Sequence, residues 1–340
     1  MSERSARLNS GQGSVLEASL RSLFLIDLTW VEQILLTRYS IRRRRRPHPP
    51  LAMLRALMYQ RLRQIPSWRQ LAQTIRSDRS LAGLLGFQRS PSHYSFSDFT
   101  RRIGEEAFNE IFYAFVERLR MLMPDLGRIV AVDSTQVDAY SKLPREGFRG
   151  TDPDAAFGFT RKVSRKRFWT YGYKLHVACD AEHDIPLSYK TVPANKSDMN
   201  MLYDQLKLLA AHGIKPRVLI ADAGHDSRMN IFRCIKYGIK PVIALNPRRS
   251  RKKQGRPTDS HLPIRRGSIE WNKYYSMRSA IERVFARLKE ELGLKDLKLR
   301  TNPRVTVHFT LCLITMLMIA LASFSIGRPD LYLSLEPWRY

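Results

Sequence analysis

The sequence predicts an α/β domain, a mixed sheet flanked by helices, preceded by a helical N-terminal domain. Residues 129–132 and 218–221 are apolar runs with the length and composition of buried strands. Residues 169–179 alternate apolar and polar side chains with period two, as a half-buried strand does. Strand-like and helical segments then alternate up to a helix around Glu282, which favours a sheet covered by helices.

The first domain is expected to span residues 1–125. A basic linker at 42–50 is predicted from five consecutive arginines followed by a proline-rich stretch, since a block of like charges is usually solvated. The arginines of the helices at 67–76 and 95–103 fit a DNA-binding domain and a structural domain with a solvated basic face equally well. Helices are predicted because apolar residues recur at three- and four-residue steps, at Leu51, Leu54, Met58, Leu62 and Ile65, and at Phe108, Ile111, Phe112, Phe115, Leu119 and Leu122.

The second domain is expected to span residues 126–326, followed by a tail at 327–340. After the first strand we expect a loop, then the period-two strand and a hairpin partner in which Pro186 demands an edge or strand-start position. A short basic insert is expected at 247–268. Residues 305–326 contain no charged side chain and could span a membrane by length, but their polar residues favour a helix packed in the core.

The charge of the chain predicts a polyanionic partner. Lys and Arg number 58 against 31 Asp and Glu, a formal net charge of +27. A basic membrane-surface protein is the competing interpretation, but the charge recurs along most of the chain instead of forming one amphipathic anchor. Nucleic acid is therefore favoured over a membrane. The three separated cysteines are typical of reduced core residues, so we expect a cytoplasmic protein associated with the nucleoid.

Three carboxylates are the candidate catalytic and metal-binding residues. Asp133 and Asp222 close the two apolar runs, at the strand ends where open α/β sheets place their ligands, and Glu282 lies in a helix. Three convergent carboxylates would repel one another unless divalent cations lay between them. Asp138 is a rival to Asp133, but it is expected in the loop beyond the strand. Asp198 is interpreted as a helix cap.

The helix around Glu282 carries further candidates. At about 100° per residue, Tyr275, Arg278, Glu282 and Lys289 fall on one stripe beside the apolar face. Arg278 and Lys289 have the chemistry to bind phosphate. Taken alone, the stripe fits an amphipathic helix with ordinary boundary charges at least as well.

The spacing of this stripe resembles a known family. Tyr275-x2-Arg278-x3-Glu282-x6-Lys289 is similar to the YREK signature of the DDE transposases encoded by prokaryotic insertion sequences. The segments around Asp133 (131–135) and around the second acid (221–227) also resemble the motifs of that family, in the same order. The similarity covers roughly residues 128–326, and the N-terminal helices are similar to the leading domain of the family.

The resemblance implies a ribonuclease-H-like core and two Mg²⁺ ions, with Mn²⁺ as an alternative, held by Asp133, Asp222 and Glu282. It implies cleavage of double-stranded DNA at transposon terminal inverted repeats, and attack of the 3′-hydroxyl on target DNA. Tyr275, Arg278 and Lys289 are implied to contact DNA, and a homodimer is implied in the synaptic complex. His225 stands where the family often has tyrosine. The alternative function is a catalytically inactive DNA-binding protein derived from a transposase.

Overall fold

A computed structural model describes residues 20–24, 26–39, 47–148, 150–161, 167–246 and 262–339. Most of the predicted linker, at 42–46, and most of the predicted insert, at 247–261, lie outside these residues. Contacts divide the chain into two compact units, of which the first contains the chain up to Leu122 together with Leu288–Asp296 and Val307–Tyr340. The second unit contains Met123–Arg287 and Leu297–Thr306. The first boundary lies close to the predicted one, whereas the C-terminal helix and the expected tail cluster with the N-terminal helices.

The first unit is helical, as predicted. Its helices are α1 (Thr29–Arg38), α2 (Pro50–Leu62), α3 (Trp68–Ser77), α4 (Arg79–Leu85) and α5 (His93–Leu122), the last interrupted at Gly104. Polar caps fix two of the starts: Ser67 accepts a hydrogen bond from the backbone of Gln70, and Asp78 accepts one from Leu81. Gly86 ends α4 in the left-handed conformation, at φ 96°.

The core of the first unit includes polar groups. Leu54, Met58 and Phe108 are fully buried, as the helical periodicity predicts. Arg61 is also buried, and its guanidinium lies 3.0 Å from Nδ1 of His308. The other ring nitrogen of His308 lies 3.2 Å from the carbonyl oxygen of Leu294, so this histidine is held at both ring nitrogens.

The second unit contains a six-stranded mixed sheet. The bounds of its strands and helices are β1 (Ile129–Asp138), β2 (Ala156–Arg161), β3 (Arg167–Asp180), β4 (Pro186–Pro193), α6 (Asp198–Ala211), β5 (Val218–Ala221), α7 (Arg228–Lys236), β6 (Lys240–Ile243), α8 (Ile269–Ser276) and α9 (Ser279–Ala286). The strand order is β2-β3-β1-β5-β6, with β4 also paired to β3. β1, β2 and β4 run antiparallel to β3, whereas β5 and β6 run parallel to β1. The predicted mixed sheet flanked by helices is confirmed, and Pro186 begins its strand.

Three details of the sequence prediction are wrong. The expected loop between β1 and β3 contains the additional strand β2. β1 does not end near Asp133 but continues to Asp138, so this rival acid ends the strand instead of lying in a loop. The single helix expected around Glu282 is broken between α8 and α9, because the backbone of residues 277–281 makes tighter i→i−3 hydrogen bonds. The stripe that places Tyr275 and Glu282 on one helix therefore does not hold.

The apolar C-terminal segment forms α10 (Asn302–Ser325), followed by the short helix α11 (Glu336–Arg339). By length and composition α10 qualifies as a membrane span, yet 94% of its most apolar window is buried inside the protein. This burial supports the predicted core helix. Trp338 in α11 is also fully buried, so the expected tail includes a core residue.

Candidate active site

Asp133 and Asp222 lie side by side because of the strand register. β1 and β5 are parallel neighbours in which Val132 pairs with Ala221, and each aspartate is the next residue. Asp222 follows the end of β5, as predicted, and caps a 3₁₀ turn (Ala223–His225) by accepting a hydrogen bond of 2.9 Å from the backbone N–H of Gly224. The carboxyl end of the parallel pair thus presents two acids at one level of the sheet.

The environment of Asp133 disfavours its charged form. Its side chain is 23% exposed. Burial, and then the negative charge of Asp222, raise the pKa of Asp133 to about 6, against the opposing effect of a 2.7 Å hydrogen bond from the backbone of Ser134. The raised pKa is what two neighbouring carboxylates are expected to show.

Arg278 connects the first and third acids. The loop between α8 and α9 places its guanidinium 3.4 Å from Oδ2 of Asp133, and a second nitrogen of the same group donates to Oε1 of Glu282. Glu282 lies in the first turn of α9, and its side chain is 56% exposed. Arg278 therefore supplies the positive charge shared by Asp133 and Glu282.

Within the described part of the chain, no group of three or more His, Cys, Asp or Glu side chains stands in an arrangement that could hold a metal ion. Asp133 and Asp222 interact electrostatically, and Asp133 and Glu282 share one guanidinium. Joint metal binding by the three acids stays a prediction.

His225 is a close partner of the second acid. Its Nδ1 lies 2.7 Å from Oδ1 of Asp222, and its ring is fully buried. Burial alone would raise the pKa of Asp222, but the hydrogen bond and charge of His225 and the N–H of Gly224 together lower it. Burial opposes protonation of His225, whereas the adjacent carboxylates raise its pKa. The imidazole thus fixes the orientation of Asp222 and stabilises its charge.

A further acid, Asp198, lies beside this group. The hydroxyl of Ser134 donates a 2.8 Å hydrogen bond to Asp198, and Nζ of Lys174 lies 3.1 Å from the same carboxylate oxygen. The interpretation of Asp198 as a helix cap is wrong, because it is the first residue of α6 and its carboxylate contacts strands β1 and β3 instead. Asp198 is linked to the site through its hydrogen bond with Ser134, the residue after Asp133. One weak signal for the place of Asp198 beside the site is present in the sequence, an acid at a helix start after a polar turn.

The imidazole of His176 on β3 is fully buried beside this group. Neither ring nitrogen has a hydrogen-bond partner among the described residues, and Nε2 is 3.8 Å from Asp198. Burial lowers the pKa of His176 to about 4, against the opposing charge of Asp198.

The helix that carries Glu282 is attached to the sheet by an ion cluster, which we call the anchor: Asp184, Arg283 and Arg287. Asp184 is buried in the turn between β3 and β4. Two nitrogens of Arg283 donate to its two oxygens at 2.7 Å each, and Arg287 adds contacts at 3.2 Å. Because Arg283 is the residue after Glu282, the anchor fixes the part of α9 from which Glu282 projects.

The structure separates the remaining predicted site residues. Tyr275 lies on α8, where its ring stacks on Trp271 at a centroid distance of 4.4 Å, and burial raises its pKa. Lys289 is half-buried in a π-helical turn (Arg287–Glu291) and belongs to the first compact unit. Asp138 is exposed at the end of β1. DNA contact by Tyr275, Arg278 and Lys289 stays a prediction.

Comparison with known proteins identifies the family. The family described as "Transposase DDE domain" matches residues 124–318, more than half of the chain. A second family, "Transposase domain (DUF772)", matches residues 17–102. None of the curated proteins matches the sequence.

Similar solved structures include transposases. The piggyBac transposase synaptic complex with hairpin DNA aligns with a TM-score of 0.44 at 12% identity, covering 94% of this chain and 80% of the other. The Mos1 strand transfer complex aligns with a TM-score of 0.26 at 15% identity, covering 79% and 78%. The matched family and the observed strand order confirm the ribonuclease-H-like fold class of the second unit.

Proposed function

This chain belongs to the family of DDE transposases, and we propose that it cleaves DNA at the ends of an insertion sequence and joins the freed 3′-hydroxyl to target DNA. The observation that carries the proposal is the meeting of Asp133 and Asp222 at the carboxyl end of the parallel pairing of β1 and β5, with Glu282 joined to Asp133 through Arg278. Acids in such an arrangement suit the metal-assisted cleavage of a phosphodiester.

The three acids fit divalent cations by their chemistry. Carboxylate oxygens are the ligands that Mg²⁺ and Mn²⁺ prefer. Burial, and then the negative charge of Asp222, disfavour the charged form of Asp133, and a bound cation would offset both effects. We propose that Asp133, Asp222 and Glu282 hold two Mg²⁺ ions, for which Mn²⁺ can substitute. When bound, such ions lower the pKa of water and neutralise charge on the phosphate.

The other residues of the site act through charge and orientation. His225 holds one oxygen of Asp222 and leaves the second for a ligand. Arg278 already bridges two of the acids, and its guanidinium can bind a phosphate oxygen when it leaves one of them. Tyr275 and Lys289 are proposed DNA contacts. The anchor keeps Glu282 in position while the positive charges of the site rearrange.

We propose double-stranded DNA as the macromolecular partner, in the form of terminal inverted repeats and target DNA. The net charge of +27 suits a polyanion, and phosphate contacts by Lys and Arg would make binding depend steeply on salt. A homodimer is proposed for the synaptic complex, since two DNA ends must be held together for joining.

Cleavage of end DNA tests the proposal. The full chain should nick a duplex carrying the terminal inverted repeat in the presence of Mg²⁺, and Glu282→Gln should nick it roughly 10³-fold more slowly, because an anionic ligand of the proposed Mg²⁺ ions is lost. Asp138→Asn is the matched control, since this exposed acid ends the same strand as Asp133 and should leave cleavage unchanged.

Two outcomes would contradict the proposal. Equal cleavage by wild type and Glu282→Gln would remove Glu282 from the site. Tight binding of end DNA by the wild type without cleavage in Mg²⁺ or Mn²⁺ would favour the alternative function, an inactive DNA-binding protein derived from a transposase.

A further inference from the structure

A two-stranded hairpin projects from the sheet of the second unit. β3 pairs with β1 and β4 only from residue 172 onward, whereas residues 167–172 pair with β2. The last registered pair of this hairpin is Arg161 with Arg167. Residues 167–171 of β3 thus have β2 as their paired strand and extend beyond the rest of the sheet.

One face of the hairpin is an exposed aromatic surface, which we call the aromatic face: Phe157, Phe159 and Trp169. These side chains are 46%, 50% and 61% exposed, respectively. Phe159 and Trp169 are register partners whose ring centroids lie 5.6 Å apart, and Phe157 lies 4.9 Å from the ring of Tyr171. Large aromatic rings exposed at this level in a cluster are typical of a binding surface.

The opposite face of the hairpin is held close to the protein. A Cβ added at Gly158 would meet the carbonyl oxygen of Ala194 at 2.3 Å, and one added at Gly172 would meet the carbonyl oxygen of Val137 at 2.1 Å. Side chains alternate between the faces of a strand, so glycine at these positions lets the hairpin lie against its neighbours. The rings of the aromatic face are directed away from these contacts.

The charge of the hairpin decides whether a second copy of the chain or DNA is the better partner for the aromatic face. Arg161 and Arg167 end the paired part of the hairpin, and the sequence between them, outside the described residues, adds Lys162, Arg165 and Lys166. Seven consecutive residues therefore include five cations and no acid. A second copy of a chain with net charge +27 would be repelled here, whereas the DNA backbone would be attracted. A hairpin whose sequence combines exposed aromatic rings with this run of cations has the composition of surfaces that bind unstacked bases.

We propose that the aromatic face binds bases of DNA that are unpaired or unstacked, with Trp169 as the principal stacking residue. The inference rests on the proposed function for the identity of the nucleic acid. Stacking tolerates any base because each base has a π face, so the hairpin distinguishes distorted from regular DNA and reads no sequence.

Binding to two DNA probes tests the inference. One probe is a fully paired 30-mer duplex, and the other is the same duplex with a two-nucleotide bulge. Affinities of the full chain are measured by fluorescence anisotropy in EDTA, where no cleavage occurs. We expect the wild type to prefer the bulged probe, Trp169→Ala to lose about tenfold in affinity for that probe alone, and Trp169→Phe to retain the preference because it keeps an aromatic ring.

Phe232→Ala is the matched control. Phe232 on α7 is also 61% exposed and lies next to Arg233, so it tests whether any exposed ring among cations gives the same result. It should bind both probes as the wild type does. Thermal unfolding of each variant verifies that the fold is intact, as expected for a change at exposed side chains.

Several results would overturn the inference. Equal affinity of Trp169→Ala and wild type for the bulged probe would remove the ring from DNA binding. An equal loss on both probes would contradict a role in distinguishing distorted DNA, and a change only in sedimentation behaviour would identify the aromatic face as an interface between copies. If the cleavage assay fails, these binding results still test the inference, because they are obtained without metal.

Discussion

The anchor and the acid cluster of Asp133, Asp222 and Glu282 contact the same helix, α9, and differ in charge balance. In the anchor, one buried carboxylate, Asp184, meets two guanidinium groups. In the acid cluster, three carboxylates share Arg278 and His225. The first arrangement satisfies its acid and stabilises the fold, whereas in the second the negative charge of Asp222 disfavours that of Asp133. A carboxylate excess kept next to a rigid attachment is what a cation-dependent site requires.

The largest expected effect separates stability from activity at Asp133. We expect Asp133→Asn to reduce cleavage of end DNA by about 10³-fold, because an anionic ligand of the proposed Mg²⁺ ions is lost. The same change should stabilise the metal-free protein by roughly 1–3 kcal/mol, because a pKa raised by about two units corresponds to about 3 kcal/mol at most. Urea unfolding in EDTA measures the gain. Destabilisation would contradict a folded state in which burial and Asp222 disfavour the charge of Asp133.

The anchor should respond in the opposite direction. Asp184→Asn leaves Arg283 and Arg287 without their carboxylate, and we expect a loss of about 3 kcal/mol in the free energy of unfolding. Cleavage should also fall, because α9 loses the attachment beside Glu282. Asp330→Asn is the control, since Asp330 pairs with Arg328 at the exposed surface and should show no measurable change. If Asp184→Asn were as stable as Asp330→Asn, the stabilising role of the anchor would be contradicted.

The dependence of stability on pH sharpens the comparison. The pKa of Asp133 is raised from 3.8 to about 6, so its charged form is disfavoured in the folded state. The protein without metal should therefore lose stability relative to Asp133→Asn as pH rises from about 4 to about 6, and the difference should stay constant above that range. Parallel stability profiles of the two proteins between pH 4 and 7 would argue against a raised pKa of Asp133.

The smallest expected effect concerns His225, which supports the acid cluster without being one of its acids. His225→Gln removes the imidazole ring and its 2.7 Å contact to Asp222. We expect the Mg²⁺ concentration for half-maximal cleavage to rise about tenfold, the lower end of the effect of residues that orient metal ligands. An unchanged Mg²⁺ requirement with slower cleavage would assign His225 to another role.

Much of the fold could be predicted because the relevant signals are local. The apolar runs before Asp133 and Asp222 gave the central parallel pair, and Pro186 gave the start of β4. The strand β2 was missed because its place in the sheet depends on the close approach of Gly158 to Ala194, which no local pattern reveals. Such contacts join parts of the chain that are distant in sequence.

In the candidate site, too, contacts between distant parts of the chain could not be predicted from local patterns. The three acids could be selected from strand ends and spacing, whereas the link from Asp198 to Ser134 depends on how α6 meets β1. The break between α8 and α9 was missed because the change to i→i−3 hydrogen bonds leaves the apolar periodicity largely intact. The anchor was missed for a further reason: Asp184 lies in a turn with φ 53°, and its arginine partners are about 100 residues away.

The most direct test of the central claim, that Asp133, Asp222 and Glu282 bind divalent cations together, is anomalous diffraction from crystals of the full chain with Mn²⁺ and end DNA. The account predicts Mn²⁺ peaks within about 2.0–2.3 Å of carboxylate oxygens from all three residues, with Arg278 displaced from at least one of its two acids. Mn²⁺ bound elsewhere, with Arg278 still bridging Asp133 and Glu282, would contradict it.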